Sequence, residues 1–201
     1  MVRNIIFDMG NVLLRFDPFV SLNGFCQTQE ARDLIYKELF CGEEWVKGDL
    51  GLMNADERFL SVSERIPEKY HGELKKCTYG WDICMIPIDG AKEFCRFVKE
   101  KGYRIFILSN AGQEFYTYFT REYNLDFFDG FVVSSDIHII KPDEGIYKYL
   151  LDKYSLKAEE CFFIDDCEPN VAAAKKTGMN GIVFRDSFEE IKNILTKEKE
   201  I

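Results

Sequence analysis

Short apolar runs alternate with amphipathic segments along most of this chain. The apolar runs predict five strands, at residues 4–8, 103–108, 130–134, 161–164 and 181–184. Helical spacing and helix-ending residues predict helices at 90–101, 114–123, 143–154 and 169–177, and Ser187 begins a charged C-terminal helix. Strands that alternate with helices in this way predict a parallel sheet, and therefore an α/β fold.

Residues 16–85 follow a different pattern. This stretch has no run of the alternating or β-branched kind, and its apolar residues recur instead at helical spacing. Asn54, followed by acidic residues, is typical of a helix start. We therefore expect about four helices here, forming a cap (16–85) inserted into a core made of residues 1–15 and 86–201.

Composition and charge exclude several classes of protein. The chain has 201 residues, of which 46% are hydrophobic and 30% charged, and its net charge of -9 argues against a nucleic-acid-binding surface. No apolar run is long enough to cross a membrane. Seven cysteines without a CxxC pair and an N-terminus that runs directly into a strand predict a cytoplasmic protein without disulfide bonds. The oligomeric state is not predicted.

Polar side chains follow three of the predicted strands, and a lysine precedes one of the helices. In a parallel sheet these ends meet at one edge. Three carboxylates there would repel one another without a cation, and Mg²⁺ binds a few carboxylates together with water and substrate phosphate. One carboxylate would remain as a nucleophile. Each group alone has a plainer interpretation, as a turn residue or a solvated lysine. The residues are Asp8, Ser109, Asn110, Lys141, Asp165 and Asp166.

Four ordered segments resemble the motifs of the haloacid dehalogenase superfamily, whose hydrolases use an aspartate nucleophile. The segments are Phe7-Asp8-Met9-Gly10-Asn11-Val12, Leu108-Ser109-Asn110, Lys141-Pro142, and Ile164-Asp165-Asp166 followed by Asn170. The resemblance covers residues 1 to about 190. It implies a Rossmann-like parallel sheet core, a small helical cap of the four-helix type, and Mg²⁺-dependent hydrolysis of a small phosphate ester through an aspartyl-phosphate.

The resemblance also implies a role for each of these residues. Asp8 is the expected nucleophile, and Asn170 is expected to support the acidic loop. The expected magnesium ligands are Asp8, the Gly10 carbonyl group and Asp166. Asp165 is expected to act through a bound water molecule or without direct contact with the metal. The expected phosphate-binding residues are Ser109, Asn110 and Lys141, of which Lys141 neutralises charge between nucleophile and phosphate.

Position 10 departs from the family pattern. Most phosphatases of the superfamily have an aspartate there as general acid and base, and the loss of such a group costs roughly 10²–10⁴-fold in rate. The opening Asp-x-Gly-Asn-Val is similar to that of glucose-1-phosphate-type phosphatases, which implies a sugar phosphate as substrate. In that interpretation the leaving group needs less help, or a nearby residue such as Asp17 replaces the missing acid.

Two alternatives to a phosphatase remain. A 2-haloacid dehalogenase needs no acid at position 10, because halide leaves without a proton, but the pair Asp165-Asp166 favours phosphate and Mg²⁺. A catalytically weak binding or regulatory protein with the same fold would have no reason to keep Asp8, Lys141 and Asp166 together.

The cap is expected to select the substrate. A predicted loop around Gly48 and Gly51 carries an aromatic ring among polar side chains, a combination that suits a sugar. We hypothesise that Trp45 contacts the substrate, although a turn with a core tryptophan is the alternative, and we interpret Trp81 as packing near the hinge. The polar residues of the loop are Glu43, Glu44, Lys47, Asp49 and Asn54.

Overall fold

A five-stranded parallel sheet lies at the centre of the protein in the computed structural model, which describes residues 1–197. The strands among these residues are β1 Asn4–Phe7, β2 Leu14–Phe16, β3 Met85–Pro87, β4 Arg104–Ser109, β5 Gly130–Val133, β6 Cys161–Asp165 and β7 Asn180–Val183. The central sheet has the order β5-β4-β1-β6-β7, with every neighbouring pair parallel. This confirms the α/β fold, and it makes β1 the middle strand.

Eleven α-helices accompany these strands within residues 1–197. They are α1 Phe19–Phe25, α2 Gln29–Ile35, α3 Glu43–Asp49, α4 Ala55–Ser63, α5 His71–Tyr79, α6 Ala91–Glu100, α7 Phe115–Phe119, α8 Ser134–Ile137, α9 Glu144–Tyr154, α10 Glu168–Lys176 and α11 Phe188–Lys197. None of them combines the length and the apolar character that crossing a bilayer requires. The last four residues of the expected core range, 198–201, lie outside the described residues.

Both faces of the central sheet are buried, which explains why its strands are nearly continuous apolar runs. Ile5 and Phe7 of β1 belong to the core cluster that also includes residues of the insert. Ile6, between them, belongs to the cluster on the opposite face, with residues of α9 and α10. After their first residue, the strands of the central sheet carry no polar residue until they end, and the polar groups of the site lie at those ends.

Helix α3 occupies a stretch that we expected to be a loop. Its first turn contains Glu43 and Glu44, and carboxylates are favourable at a helix N-terminus. Glu44 is buried and pairs with Arg65 of the following helical region, at 2.9 Å between Oε1 and Nη1. Gly48 is not a helix breaker here: the Arg58 guanidinium packs where its side chain would be. The insert therefore has five α-helices instead of about four.

A second, two-stranded sheet lies where the insert joins the core. Strands β2 and β3 pair antiparallel, with Leu14 opposite Pro87 and Phe16 opposite Met85. Three-residue strands that include a proline have no clear sequence pattern, so this pairing was not predicted. Because the two ends of the insert lie side by side, we propose that residues 16–85 form the cap.

The remaining differences concern element lengths on the core side. The predicted helix 114–123 is confined to α7, whose five residues end at Phe119. The segment after the predicted strand 130–134 begins with the short helix α8, which extends from the end of β5 to Ile137. These two segments turn out to contact the insert, and such tertiary contacts determine boundaries that local sequence does not.

Candidate active site

Asp8 lies at the carboxyl end of the middle strand. It follows β1 directly, and its backbone N–H donates to the Ile164 carbonyl of β6 at 2.8 Å. The register places Phe7 beside Ile107 of β4 on one side and Ile164 of β6 on the other. The ends of three parallel strands therefore converge on this carboxylate, in the position where α/β sheets bind ligands.

Lys141 joins two carboxylates at this position. Its Nζ lies 2.8 Å from Asp8 Oδ1 and 2.8 Å from Asp165 Oδ2, and its side chain is 1% exposed. Asp165 also accepts hydrogen bonds from the Asn170 amide, at 3.1 Å to each oxygen, and from the Cys167 N–H at 2.8 Å. Both oxygens of Asp165 are thus engaged by protein groups, and its indirect action on a metal stays a prediction.

Burial and the neighbouring opposite charges have opposing effects on the pKa values of Asp8 and Lys141. Burial raises the pKa of the Asp8 carboxyl to about 7, although the Lys141 ammonium lowers it and Asp165 adds to the rise. Burial also lowers the pKa of Lys141, but the two carboxylates outweigh this effect, and the net shift of that pKa is upward. Lys141 therefore remains a cation inside the site.

The acidic residues can hold a divalent cation. Oxygen atoms of Asp8, Asp165 and Asp166 lie within 4.8 Å of one another. One ammonium group does not neutralise three carboxylates, so an additional cation is favourable. The Gly10 carbonyl accepts no hydrogen bond from residues 1–197, and Asp8 Oδ2 faces Gly10. This set of oxygen donors fits Mg²⁺, with water and a phosphate completing its coordination.

The two expected phosphate-binding residues of β4 are placed differently from each other. Asn110 lines the site, but its amide is bound to the backbone of Lys141, with Nδ2 at 3.0 Å from the carbonyl and Oδ1 at 2.7 Å from the N–H. Ser109 is buried, and its hydroxyl group has no hydrogen-bond partner in the described part of the chain. Asn110 therefore positions Lys141, and the phosphate contacts of both residues stay predictions.

A cavity of about 210 Å³ opens above the carboxylates. The insert and its hinge contribute the aromatic and apolar wall, formed by Phe16, Trp45, Trp81 and Met85, and Tyr118 of the core completes it. Trp45 lines the cavity and also packs against Phe16, Phe40 and Trp81, so its contact with the substrate stays a prediction, while Trp81 both packs near the hinge and faces the cavity. Asp17 lines a different cavity, and its carboxylate accepts from the Phe19 N–H at 3.0 Å.

The sequence analysis gave Asn11 no role of its own, and it named Asp49 only as one of several polar residues of a loop expected to face the substrate. Asn11 adopts a left-handed conformation (φ 54°), and its amide donates to Asp166 Oδ2 at 3.0 Å. Asparagine tolerates that conformation better than most residues, so its position after Gly10 was a usable signal. Asp49 lines the cavity beside Trp45. The two are four residues apart and share one face of α3, which is apparent only once the segment is read as a helix.

Known proteins share this architecture. A solved enzyme of the haloacid dehalogenase family from Bacteroides thetaiotaomicron, in complex with magnesium and inorganic phosphate, superposes with a TM-score of 0.70 at 20% identity, over 93% of this chain and 96% of that one. Dehalogenases are also among the solved structures with this fold.

Two curated relatives are phosphatases. The sesquiterpene phosphatase astK of Aspergillus oryzae is 28% identical over 91% of this chain and 90% of its own length. The phosphorylated carbohydrates phosphatase of Thermotoga maritima is 26% identical over 89% of this chain and 82% of its own. Another relative is longer, and the chain spans 36% of it. The family model for haloacid dehalogenase-like hydrolases matches residues 2–178, and the chain therefore belongs to that family.

Proposed function

We propose that this protein is a Mg²⁺-dependent phosphomonoesterase in which Asp8 attacks phosphorus and forms an aspartyl-phosphate. The observation that carries the proposal is the placement of Asp8 against Lys141, 2.8 Å away, beside the oxygens of Asp165 and Asp166. A dehalogenase would have little use for the additional cation that these carboxylates favour. The two phosphatase relatives and the family match support the same choice.

The chain's own residues account for much of the chemistry. Lys141 holds the Asp8 carboxylate in place and remains charged, so it stabilises the negative charge that develops as the phosphoryl group is transferred. Asn110 and Asp165 fix Lys141 from opposite ends, through its backbone and its ammonium group. Magnesium held by Asp8, the Gly10 carbonyl and Asp166 would polarise the phosphoryl oxygens.

The reaction has two steps. In the first, an Asp8 oxygen forms a bond to phosphorus while the bond from phosphorus to the ester oxygen breaks, and the released alkoxide takes up a proton. In the second, water forms a bond to phosphorus and loses a proton. The bond from phosphorus to Asp8 breaks, which restores the carboxylate and releases inorganic phosphate.

For the substrate we propose a small sugar phosphate, of the kind that glucose-1-phosphate-type phosphatases hydrolyse. The cavity of about 210 Å³ is of monosaccharide size. Its aromatic wall suits the apolar face of a sugar ring, and Asp49 provides a polar side chain on the same side of the cavity. The carbohydrate phosphatase relative supports this choice, whereas the sesquiterpene phosphatase relative points to a hydrocarbon chain, so both classes belong in the test.

The experiment measures phosphate release by the purified chain from p-nitrophenyl phosphate, sugar phosphates and a prenyl phosphate, with and without Mg²⁺. We expect Mg²⁺-dependent turnover, and a phosphorylated protein after rapid acid quench. Asp8→Asn is the control and should abolish both signals. Magnesium-independent chloride release from 2-chloropropionate would contradict the phosphatase, and no turnover of either class would indicate a binding protein. Preference for the prenyl phosphate would contradict the sugar substrate alone.

A further inference from the structure

We infer that Asp49, on helix α3 of the insert, is the general acid and base that is missing at Gly10. The inference rests on the proposed phosphomonoesterase activity and adds a catalytic residue to it. The superfamily pattern described above implies a general acid in the core, two residues after the nucleophile. Here it would come from the opposite wall of the cavity.

Among the described residues, three acidic side chains line the cavity: Asp8, Asp49 and Asp166. Asp8 is used as the nucleophile, and Asp166 is held by Asn11 as an expected metal ligand. Asp49 is neither the nucleophile nor an expected metal ligand. A phosphate ester that fills a space of about 210 Å³ would contact both Asp8 below and Asp49 above.

The backbone of Asp49 is held in place relative to the core. The Ser134 hydroxyl group donates to the Asp49 carbonyl oxygen and accepts a hydrogen bond from the Ala111 N–H at 2.9 Å. The next carbonyl, that of Leu50, accepts from His138 Nδ1 at 2.7 Å. These bonds connect the end of α3 to the ends of β4 and β5, so the proton donor and the nucleophile share one rigid frame.

Burial and nearby charges shift the pKa of the Asp49 carboxyl group. Burial raises the pKa of its carboxyl to about 7, with Glu114 adding to the rise and with Arg58 and Lys141 opposing it. Arg58 is buried on α4, and its guanidinium lies 4.9 Å from the Trp45 ring centre. Its Nε has no hydrogen-bond partner within residues 1–197. A carboxyl that titrates near neutral pH can both donate and accept a proton.

The proton balance then closes. Protonated Asp49 gives its proton to the ester oxygen as the bond to phosphorus breaks, so the alcohol leaves neutral and Asp49 becomes a carboxylate. In the second step this carboxylate takes a proton from the attacking water as phosphate leaves Asp8. Asp49 returns to its acid form, and no other reactant is needed.

Two other groups could be considered for this role. Asp17 does not line this cavity but an adjoining one that shares Asn11, Phe16 and Asp166 with it, and its carboxylate already accepts a hydrogen bond from the Phe19 N–H. Tyr118 lines the same cavity, but burial raises the pKa of its phenol well above the usual value. A phenol that stays protonated cannot act as the base in the second step. Asp49 is therefore the group that fits both steps.

The test compares leaving groups. An alkyl or sugar phosphate needs a proton on its leaving oxygen, whereas p-nitrophenolate leaves as a stable anion. We expect Asp49→Asn to lower turnover of the alkyl ester by about 10²–10⁴-fold and the first-turnover release of p-nitrophenolate by less than about 10-fold. Asp152→Asn, at an exposed position of α9 that does not line the cavity, is the matched control and should match the wild type on both. Thermal unfolding verifies that each variant is folded.

The outcomes separate the two proposals. Wild-type protein inactive on both esters would overturn the phosphomonoesterase, and this inference with it. An active wild type with equal losses on the two esters in Asp49→Asn, or with none, would overturn only the role of Asp49. A leaving-group-dependent loss in Tyr118→Phe but not in Asp49→Asn would do the same, and would assign the proton to Tyr118.

Discussion

Lys141 Nζ lies 2.8 Å from Asp8 Oδ1, and both side chains are almost completely shielded from water, at 1% and 11% exposure. Two charges that are this close together and this well shielded from water interact strongly, because little solvent screens them. The same ammonium group contacts Asp165 at 2.8 Å. Catalysis and stability therefore depend on one side chain, and its replacement should affect both.

Lys141→Met should leave two buried carboxylates facing each other. We expect activity to fall by at least about 100-fold, and unfolding in urea without Mg²⁺ to require about 3–5 kcal/mol less than in the wild type. Lys148→Met is the control: Lys148 pairs with Glu144 at 2.9 Å on the surface, so its loss should cost less than about 1 kcal/mol. Unchanged activity in Lys141→Met would contradict the role of Lys141.

Asn11→Gly should weaken magnesium binding. Glycine tolerates the left-handed backbone at position 11 but removes the amide that donates to Asp166 at 3.0 Å. We expect the Mg²⁺ concentration at half-maximal activity to rise by roughly 10–100-fold, as is typical when a residue that orients a metal ligand is lost. Exposed Asn23, replaced by glycine, should leave this value unchanged. An unaltered Mg²⁺ titration would indicate that Asp166 does not need Asn11.

Gly51→Ala should loosen the insert from the core. Gly51 has φ +67°, and an added Cβ would meet the Ser135 carbonyl. The backbone conformation alone costs roughly 1–2 kcal/mol for alanine, so we expect lower stability and a higher KM. Gly24→Ala is the matched control, because no heavy atom lies within 4 Å of its Cβ and helical alanine is better than glycine by roughly 0.5–1 kcal/mol. Equal melting temperatures for the two variants would refute the prediction.

The pair of Glu44 and Arg65 should make the protein acid-sensitive. The hydrogen bond from Arg65 lowers the pKa of Glu44 to about 2, against an unfolded value near 4.5. A lowered pKa contributes stability above the unfolded value, and this contribution disappears as the pH falls from about 4.5 to about 2. With Arg65 40% exposed, screening limits the contribution to about 1–2 kcal/mol.

Denaturant unfolding at pH 7, 4 and 2.5 measures this contribution. Glu44→Gln should be less stable than the wild type at pH 7 and should lose less on acidification. Glu43→Gln removes an exposed carboxylate whose distance to Lys47 is 3.7 Å, and its acid sensitivity should equal that of the wild type. A Glu44→Gln profile parallel to the wild type would show that the pair contributes nothing.

The parallel sheet and the convergence of Asp8, Lys141 and Asp165 could be predicted because each depends on local pattern and topology. The interior of a buried strand is apolar, so a carboxylate directly after such a run is conspicuous. Once the strands are parallel, their polar ends must share an edge. These predictions needed no knowledge of side-chain packing.

The parts that failed depend on contacts between distant residues. Gly48 was taken as a turn residue, but it is glycine because Arg58 packs against it. The orientation of α3 toward the site, and with it the position of Asp49, follows from bonds to Ser134 and His138, more than 80 positions along the chain. Single-residue patterns contain no information about such partners.

The pairing of Leu14 with Pro87 has an evolutionary consequence. Because the proposed cap leaves and re-enters the core at adjacent positions, it could be exchanged as one module without shifting the register of the core strands. The nucleophile and its lysine lie outside this module, whereas Trp45, Trp81 and Asp49 lie within it, and Tyr118 of the cavity wall stays with the core. A single recombination event could therefore replace substrate preference and proton delivery together.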